Sequence, residues 1–299
     1  MIINTTDDSW SDVLIACMMD TGEGSVKEGL SPCGERRLAD ALGNKKYSSK
    51  IIKAGALLPD TKLLLETWDT GADVEDNLER VREENLLGKS SRSRVEDVLR
   101  VFRQRYLKDP EMLRALLALV KEGMPAESLD RVLYFQAAQS DPLLHDLVAE
   151  VLAEWSTRSD REVRTSEIQN WVDQQVRAGH TERPWSFEVQ RRVVQGLLAT
   201  LRDFGVLEGS VKKRIAYVYL PIDAFAFIAF QLMREGRSGE RLLNDPDWRL
   251  FFLPQGGAER FFLEAHQEGL LEYYAAGRIV RIDFPGKDLE DYAGFLAQR

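Results

Sequence analysis

Between Tyr47 and about residue 160 the apolar residues recur at helical spacing, with no convincing strand pattern. Val95, Val98, Leu99, Phe102 and Tyr106 lie on one face of an amphipathic helix, the clearest in the chain. Ahead of it, Ser48 or Ser49 can cap a helix carrying Ile51, Ile52 and Ala56 that continues to Leu58 and is stopped by Pro59. Asp60 can then cap TKLLLETWDTG, ending at Gly71, and Val74, Leu78, Val81 and Asn85 mark a third helix closing at Gly88. Further helices are expected over 110–121, 126–138 and 141–156, where Asp109-Pro110 and Asp141-Pro142 each join a capping Asp to a Pro in the first helical position. Residues 47–160 therefore read as a helical bundle.

The pattern changes near Arg164. Thr165 or Ser166 caps a helix with Ile168, Trp171, Val172 and Val176 that Gly179 ends; Ser186 caps a longer one with Val189, Val193, Leu197 and Leu201, ended by Gly205. VLEGSVKKRIAYVYLP follows as a charged turn and an alternating stretch. Helix, loop, helix and β-ribbon over 161–220 match a winged helix-turn-helix, and equally a bundle with a hairpin. Residues 221–299 form a small α+β extension: a helix at 257–268, a hairpin with Ala275-Ala276-Gly277 as its turn, and a closing helix from Asp288 to Leu296. Residues 1–46 are rich in turn formers, and their one apolar cluster, Val13 to Met19, is open to three readings: a docking helix, an arm, or sequence added by an early start codon. A chain beginning at Tyr47 is expected to fold.

The apolar run from Ile215 to Met233 approaches the length of a membrane span, but Pro221 and Asp223 interrupt it. It divides into a β-rich stretch IAYVYL and a buried helix capped by Asp223, so no membrane association is expected. Composition agrees. With 44% hydrophobic and 30% charged residues the 299-residue chain has material for two domains, or for one large domain with an extension. Only Cys17 and Cys33 are present and no signal peptide is apparent, which fits a reducing cytoplasm. A net charge of -9 excludes a protein that coats nucleic acid with its whole surface and leaves room for a local basic patch.

No catalytic centre is legible. LLGKSS contains Gly-Lys-Ser, yet Glu83 stands where a phosphate loop needs its first glycine. Asp203-Phe204-Gly205 spells a kinase triplet without the accompanying loops, and reads as a helix C-terminus. His145, His180 and His266 are far apart in sequence, with no Cys pair at zinc spacing. No cofactor and no metal are expected.

Charge clusters carry more. Lys89, Arg92, Arg94, Arg100, Arg103, Arg105 and Lys108 stand against only Glu96 and Asp97 between 86 and 108. Arg92, Arg100 and Arg103 fall on one flank of the apolar stripe, Arg94 and Arg105 on the other, and Ser90, Ser91 and Ser93 mark a helix start suited to a phosphate oxygen. Arg191 and Arg192 lie on the helix that would enter a groove, and Lys212, Lys213 and Arg214 on the ribbon that would act as a wing. Each set also fits a solvated, ion-paired surface. Lys46, Lys50 and Lys53, spaced for one face of the first helix, read as a lysine surface.

Tyr47-Ser48 leading to Gly55-Ala56-Leu57-Leu58, Thr61-Lys62, Glu84-Asn85-Leu86-Leu87 with Ser90 and Ser93, Arg105, Trp185-Ser186 and Leu201-Arg202-Asp203-Phe204-Gly205-Val206-Leu207 together resemble the BrxA family of bacterial BREX phage-defence systems. The resemblance covers roughly residues 47–220, with Lys62 where that family would have Arg. It implies a mainly α, NusB-like helical fold, DNA binding, a place in a multi-protein defence locus and no catalysis. Double-stranded DNA, held mainly by its phosphates, is then the expected partner, possible other partners being further BREX proteins. Two other functions fit the residues: a protein-interaction adaptor and a winged-helix transcriptional regulator.

Overall fold

The computed structural model describes residues 46–277 and 279–299. The leader of residues 1–45, with both cysteines and the Val13 to Met19 cluster, lies outside them. Among the described residues the fold is mainly helical with two small antiparallel sheets.

Helix α1 is a single turn, Ile51–Ala54. The chain breaks there rather than at Pro59, because Gly55 and Leu57 take left-handed φ values of 58° and 55°. Pro59 instead opens α2 (Leu58–Glu66), in a first turn where a missing N–H costs nothing. Asp60 sits inside that turn rather than capping it. Helix α3 (Val74–Glu83) is capped by Asp73 and stops earlier than its apolar pattern suggests, since Asn85 adopts φ 46°. The Asn85 amide then braces the backbone of Lys89 at 3.1 Å in both directions, a conformation Asn tolerates better than most residues.

Helices α4 (Arg92–Tyr106), α5 (Pro110–Lys121) and α6 (Ala126–Ser140) follow, the first capped by Ser91 and the second by Asp109 as expected. Helix α7 spans 142–155, with Asp141 accepting from the N–H groups of Leu143 and Leu144 and a π-helical middle, Leu147–Leu152. Next come β1 (Glu162–Val163), α8 (Thr165–Arg177), α9 (Phe187–Asp203), β2 (Leu207–Glu208) and β3 (Lys213–Ile215). The three strands lie in the order β1-β3-β2. The strand expected through IAYVYL is cut short: past the Leu207–Ile215 pair, Ala216 N donates to Val206 O at 3.0 Å, and then the partner chain turns into the end of α9 at Gly205.

Helix α10 (Ile222–Arg234) is buried from Ala224 through Leu232, with Pro221 rather than Asp223 at its N-cap position. Its uniform apolarity reflects a central place in the core, packed on α6. Ser128 Oγ donates to Asp223 Oδ1 at 2.7 Å across that contact. Among the described residues no helix is long and apolar enough to cross a membrane. The tail adds α11 (Glu240–Leu243), a 3-10 segment Pro246–Phe251, α12 (Ala258–Gln267), the hairpin β4 (Glu272–Ala276) and β5 (Ile279–Asp283), and α13 (Leu289–Ala297). Ala275 and Ala276 belong to β4, with Ala276 opposite Ile279, so the hairpin turn is tighter than expected. Helix α13 packs along α5, and one apolar core runs without interruption from Tyr47 to Leu296.

Candidate functional site

The first wall of the site is α1, fixed by contact with α9. A Cβ on Gly196 would lie 2.8 Å from the carbonyl oxygen of Ile51, so only glycine lets the two backbones approach this closely. That approach carries Arg192, one turn earlier on α9, to the side of α1. The second wall is α4. Its Arg105 guanidinium donates to Ala56 O at 2.9 Å and Gly55 O at 2.7 Å and so ties the left-handed corner after α1 to α4.

Two adjoining cavities of about 300 and 380 Å³ lie along this junction and share Lys50, Gln104, Arg105 and Ser140. The second is lined by five basic side chains, Lys50, Lys53, Arg100, Arg105 and Arg192, against two carboxylates, Asp97 and Asp141. The first continues the groove past Lys46 and Lys108 toward Glu182 and Glu235. Asp97 lies between cations, 2.9 Å from Arg100 and 3.5 Å from Lys53. Lys46 Nζ donates to Gly179 O at 3.0 Å, at the end of α8. The groove thus gathers positive charge from three stretches of a chain that is acidic overall.

The basic residues singled out in the sequence divide accordingly. Arg100 and Arg192 reach the groove and are exposed. Arg105 lines it as well, but its side chain is buried, at 7% exposure, and its donors are committed to backbone carbonyls; it is a structural arginine and not a surface contact. Arg103 turns to α3, where Glu75 binds it through both carboxylate oxygens and is held below the usual Glu range by that hydrogen bond. Arg92 and Arg94 stand exposed at the start of α4, where Ser91 Oγ is used as the cap, accepting from Arg94 N at 3.3 Å. Lys89 pairs with Asp60 at 2.7 Å. Arg191 is paired with Glu188 one turn away at 2.9 Å, and the guanidinium's hydrogen bond lowers the Glu188 carboxyl.

The ribbon residues form a separate group. Arg192 is eleven residues from the end of α9, about 17 Å at ~1.5 Å per residue, and the ribbon follows that end. Lys212 and Arg214 are exposed, while Lys213 is half-buried and donates to Ser210 O at 3.0 Å. Arg214 is opposite Glu162 on one side and Glu208 on the other, so its charge is locally offset.

Lys50 and Lys53 were legible only as surface lysines. They do not share a helix face with Lys46, because α1 is too short and both Lys46 and Lys50 precede it. Gln104 carried no signal at all. Among the described residues no three His, Cys, Asp or Glu side chains form a metal-binding group. His145 instead links buried carboxylates, Nδ1 to Asp146 at 3.0 Å and Nε2 to Asp247 at 2.9 Å.

Comparison with known proteins bears on the whole of this arrangement. No curated protein matches the chain. Among solved structures, the crystal structure of an uncharacterized protein from Magnetospirillum magneticum is similar in fold, with a TM-score of 0.52 at 14% identity, covering 64% of this chain and 95% of that one. The sequence model of the BrxA family matches residues 45–231, from the residue before Lys46 into α10, a span that holds every lining residue of the basic groove up to Gln231 and well over half of the chain. By that match the chain belongs to the BrxA family.

Proposed function

We propose that this chain is a non-enzymatic, cytoplasmic DNA-binding component of a BREX-type phage-defence system, and that it holds duplex DNA by its phosphates along the groove between α1, α4 and α9. The observation that carries the proposal is the convergence of Lys50, Lys53, Arg100 and Arg192, from three separate stretches of the chain, on one cavity. Phosphate contacts need positive charge at a fixed geometry and carry no sequence information by themselves. The cavity that these four residues line has one side-chain amide, Gln104, to read a base edge, so weak sequence preference follows. The order β1, α8, α9, β2, β3, with β3 central, is that of a winged helix-turn-helix and supports α9 as the helix that meets DNA, with Lys212 and Arg214 as outer contacts. Arg92 and Arg94 would extend the contact beyond the groove. Kinship of the bundle with NusB belongs to the same proposal.

The test is a fluorescence-anisotropy titration with a short duplex at several salt concentrations, comparing the wild type with the triple variant Lys50→Ala, Lys53→Ala and Arg192→Ala. Log affinity should fall linearly with log salt, by about 0.9 per phosphate neutralised, and the variant should bind all duplex sequences more weakly with a flatter slope. All three side chains are exposed, so the fold should be unaffected. Weak wild-type binding that the substitutions leave unchanged would instead support the adaptor reading, in which the paired states of Arg103 and Arg191 are the surface's normal condition.

A further inference from the structure

The stretch 217–220, Tyr-Val-Tyr-Leu, follows the last backbone bond to the sheet, at Ala216, and belongs to no strand or helix before α10. Its burial alternates, with Tyr217 and Tyr219 standing out at 85% and 55% exposure while Leu220 is buried. Tyrosine pairs an apolar ring with a polar hydroxyl, which suits an exposed contact surface. Beside them is a cavity of about 360 Å³, lined by the two tyrosines, Phe252, Arg161, Arg260 and one carboxylate, Glu264. Arg161 is held there at φ 47°, its carbonyl oxygen accepting from Ile215 N at 2.9 Å. Arg260 lies over the Phe261 ring at 5.3 Å, and nearby Arg158 lies over Trp155 at 4.5 Å.

We infer that this segment is a stacking platform for unpaired bases of a single-stranded nucleic acid, separate from the duplex groove. Aromatic rings for base faces and guanidiniums for the backbone are the two components such sites combine. Residues i and i+2 of an extended chain are about 6.8 Å apart, twice the ~3.4 Å separation of stacked bases, so one base fits between neighbouring rings. Charge favours a nucleic acid over an extended peptide as occupant: the cavity presents two guanidiniums against one carboxylate, in a chain whose net charge is -9. A duplex, with its bases already paired and stacked, has no base face to offer here.

The inference does not rest on the groove reading, and one set of titrations separates them. Labelled oligo(dT), oligo(U) and a duplex are titrated against the wild type, the double variant Tyr217→Ala with Tyr219→Ala, the ring-preserving variant Tyr217→Phe with Tyr219→Phe, and the Lys50, Lys53, Arg192 triple variant. The double alanine variant should bind single strands at least about tenfold more weakly and the duplex unchanged, and the phenylalanine variant should retain single-strand affinity. The groove triple variant should show the converse, losing duplex and keeping single strands. A preference between oligo(dT) and oligo(U) identifies the strand as DNA or RNA. The inference is overturned if the wild type does not bind single strands, or if the alanine variant binds them as the wild type does. Protection of the Tyr217 to Tyr219 amides from hydrogen exchange by an extended peptide, but not by oligonucleotide, would overturn it equally.

Discussion

Arg105→Ala separates a structural arginine from a DNA contact. Its guanidinium satisfies two carbonyls at the corner after α1, of which Ala56 is buried at 2% exposure and Gly55 is half-buried. Alanine leaves the Ala56 carbonyl without its donor, at a cost of about 1–3 kcal/mol, while water can reach the Gly55 carbonyl and recover part of its loss. With the lost packing of the side-chain stem, the total is about 2–4 kcal/mol. At ~2.1 cal/mol/K per residue, a 299-residue chain has an unfolding entropy of roughly 0.6 kcal/mol/K, so Tm should fall by ~3–6 °C. Arg105→Lys should fall between, since one ammonium cannot reproduce a planar fork across two acceptors. The measurement is thermal unfolding by circular dichroism, paired with the salt dependence of duplex binding below the transition. The expected salt slope is unchanged. A Tm within 1 °C of wild type, together with a slope flattened by about 0.9, would refute this account and return Arg105 to the phosphate contacts.

Gly196→Ala sets two effects against each other: alanine favours helix by about 1 kcal/mol, but its Cβ would meet the Ile51 carbonyl at 2.8 Å, and overpacking of this kind costs about 1–3 kcal/mol. Net destabilisation with weaker duplex binding is expected, because α1 carries Lys53 away from Arg192; an equal or higher Tm would show that α1 yields freely. Glu188→Gln releases Arg191 from its ion pair and should tighten duplex binding severalfold with a steeper salt slope, whereas unchanged binding would place Arg191 outside the interface. Since Arg191 holds the Glu188 carboxyl below its ordinary value, the pair persists as pH falls through the usual carboxylate range and is lost only at the lowered value; the same gain in wild type should therefore require stronger acid than a free Glu would.

The helices were legible wherever a local signal decided them. Asp109 and Ser186 cap α5 and α9 as the sequence indicates, and Gly179 and Gly205 end α8 and α9 with left-handed φ values, because capping and chain reversal depend on residues within one turn. Local signals misled where two were compatible with one residue. Pro59 could end one helix or begin the next, and the left-handed backbone at Gly55 and Leu57 settled the matter. The strand expected through Ile215 to Leu220 failed because a strand exists only where a partner backbone runs beside it, and β2 offers two residues. Charge was the least legible property of all. Sequence spacing counts arginines but cannot say that Arg105 faces two carbonyls, that Arg103 is held by Glu75, or that Lys50 and Lys53 meet Arg192. The last of these joins residues 142 positions apart, Lys50 and Arg192, and exists only because Gly196 lets α9 lie against α1. The amino-acid sequence thus determined that the helices exist and those ends that a single cap or glycine fixes, which are short-range matters of hydrogen bonding and periodicity; the groove, made of long-range contacts between those helices, was decided by the tertiary packing.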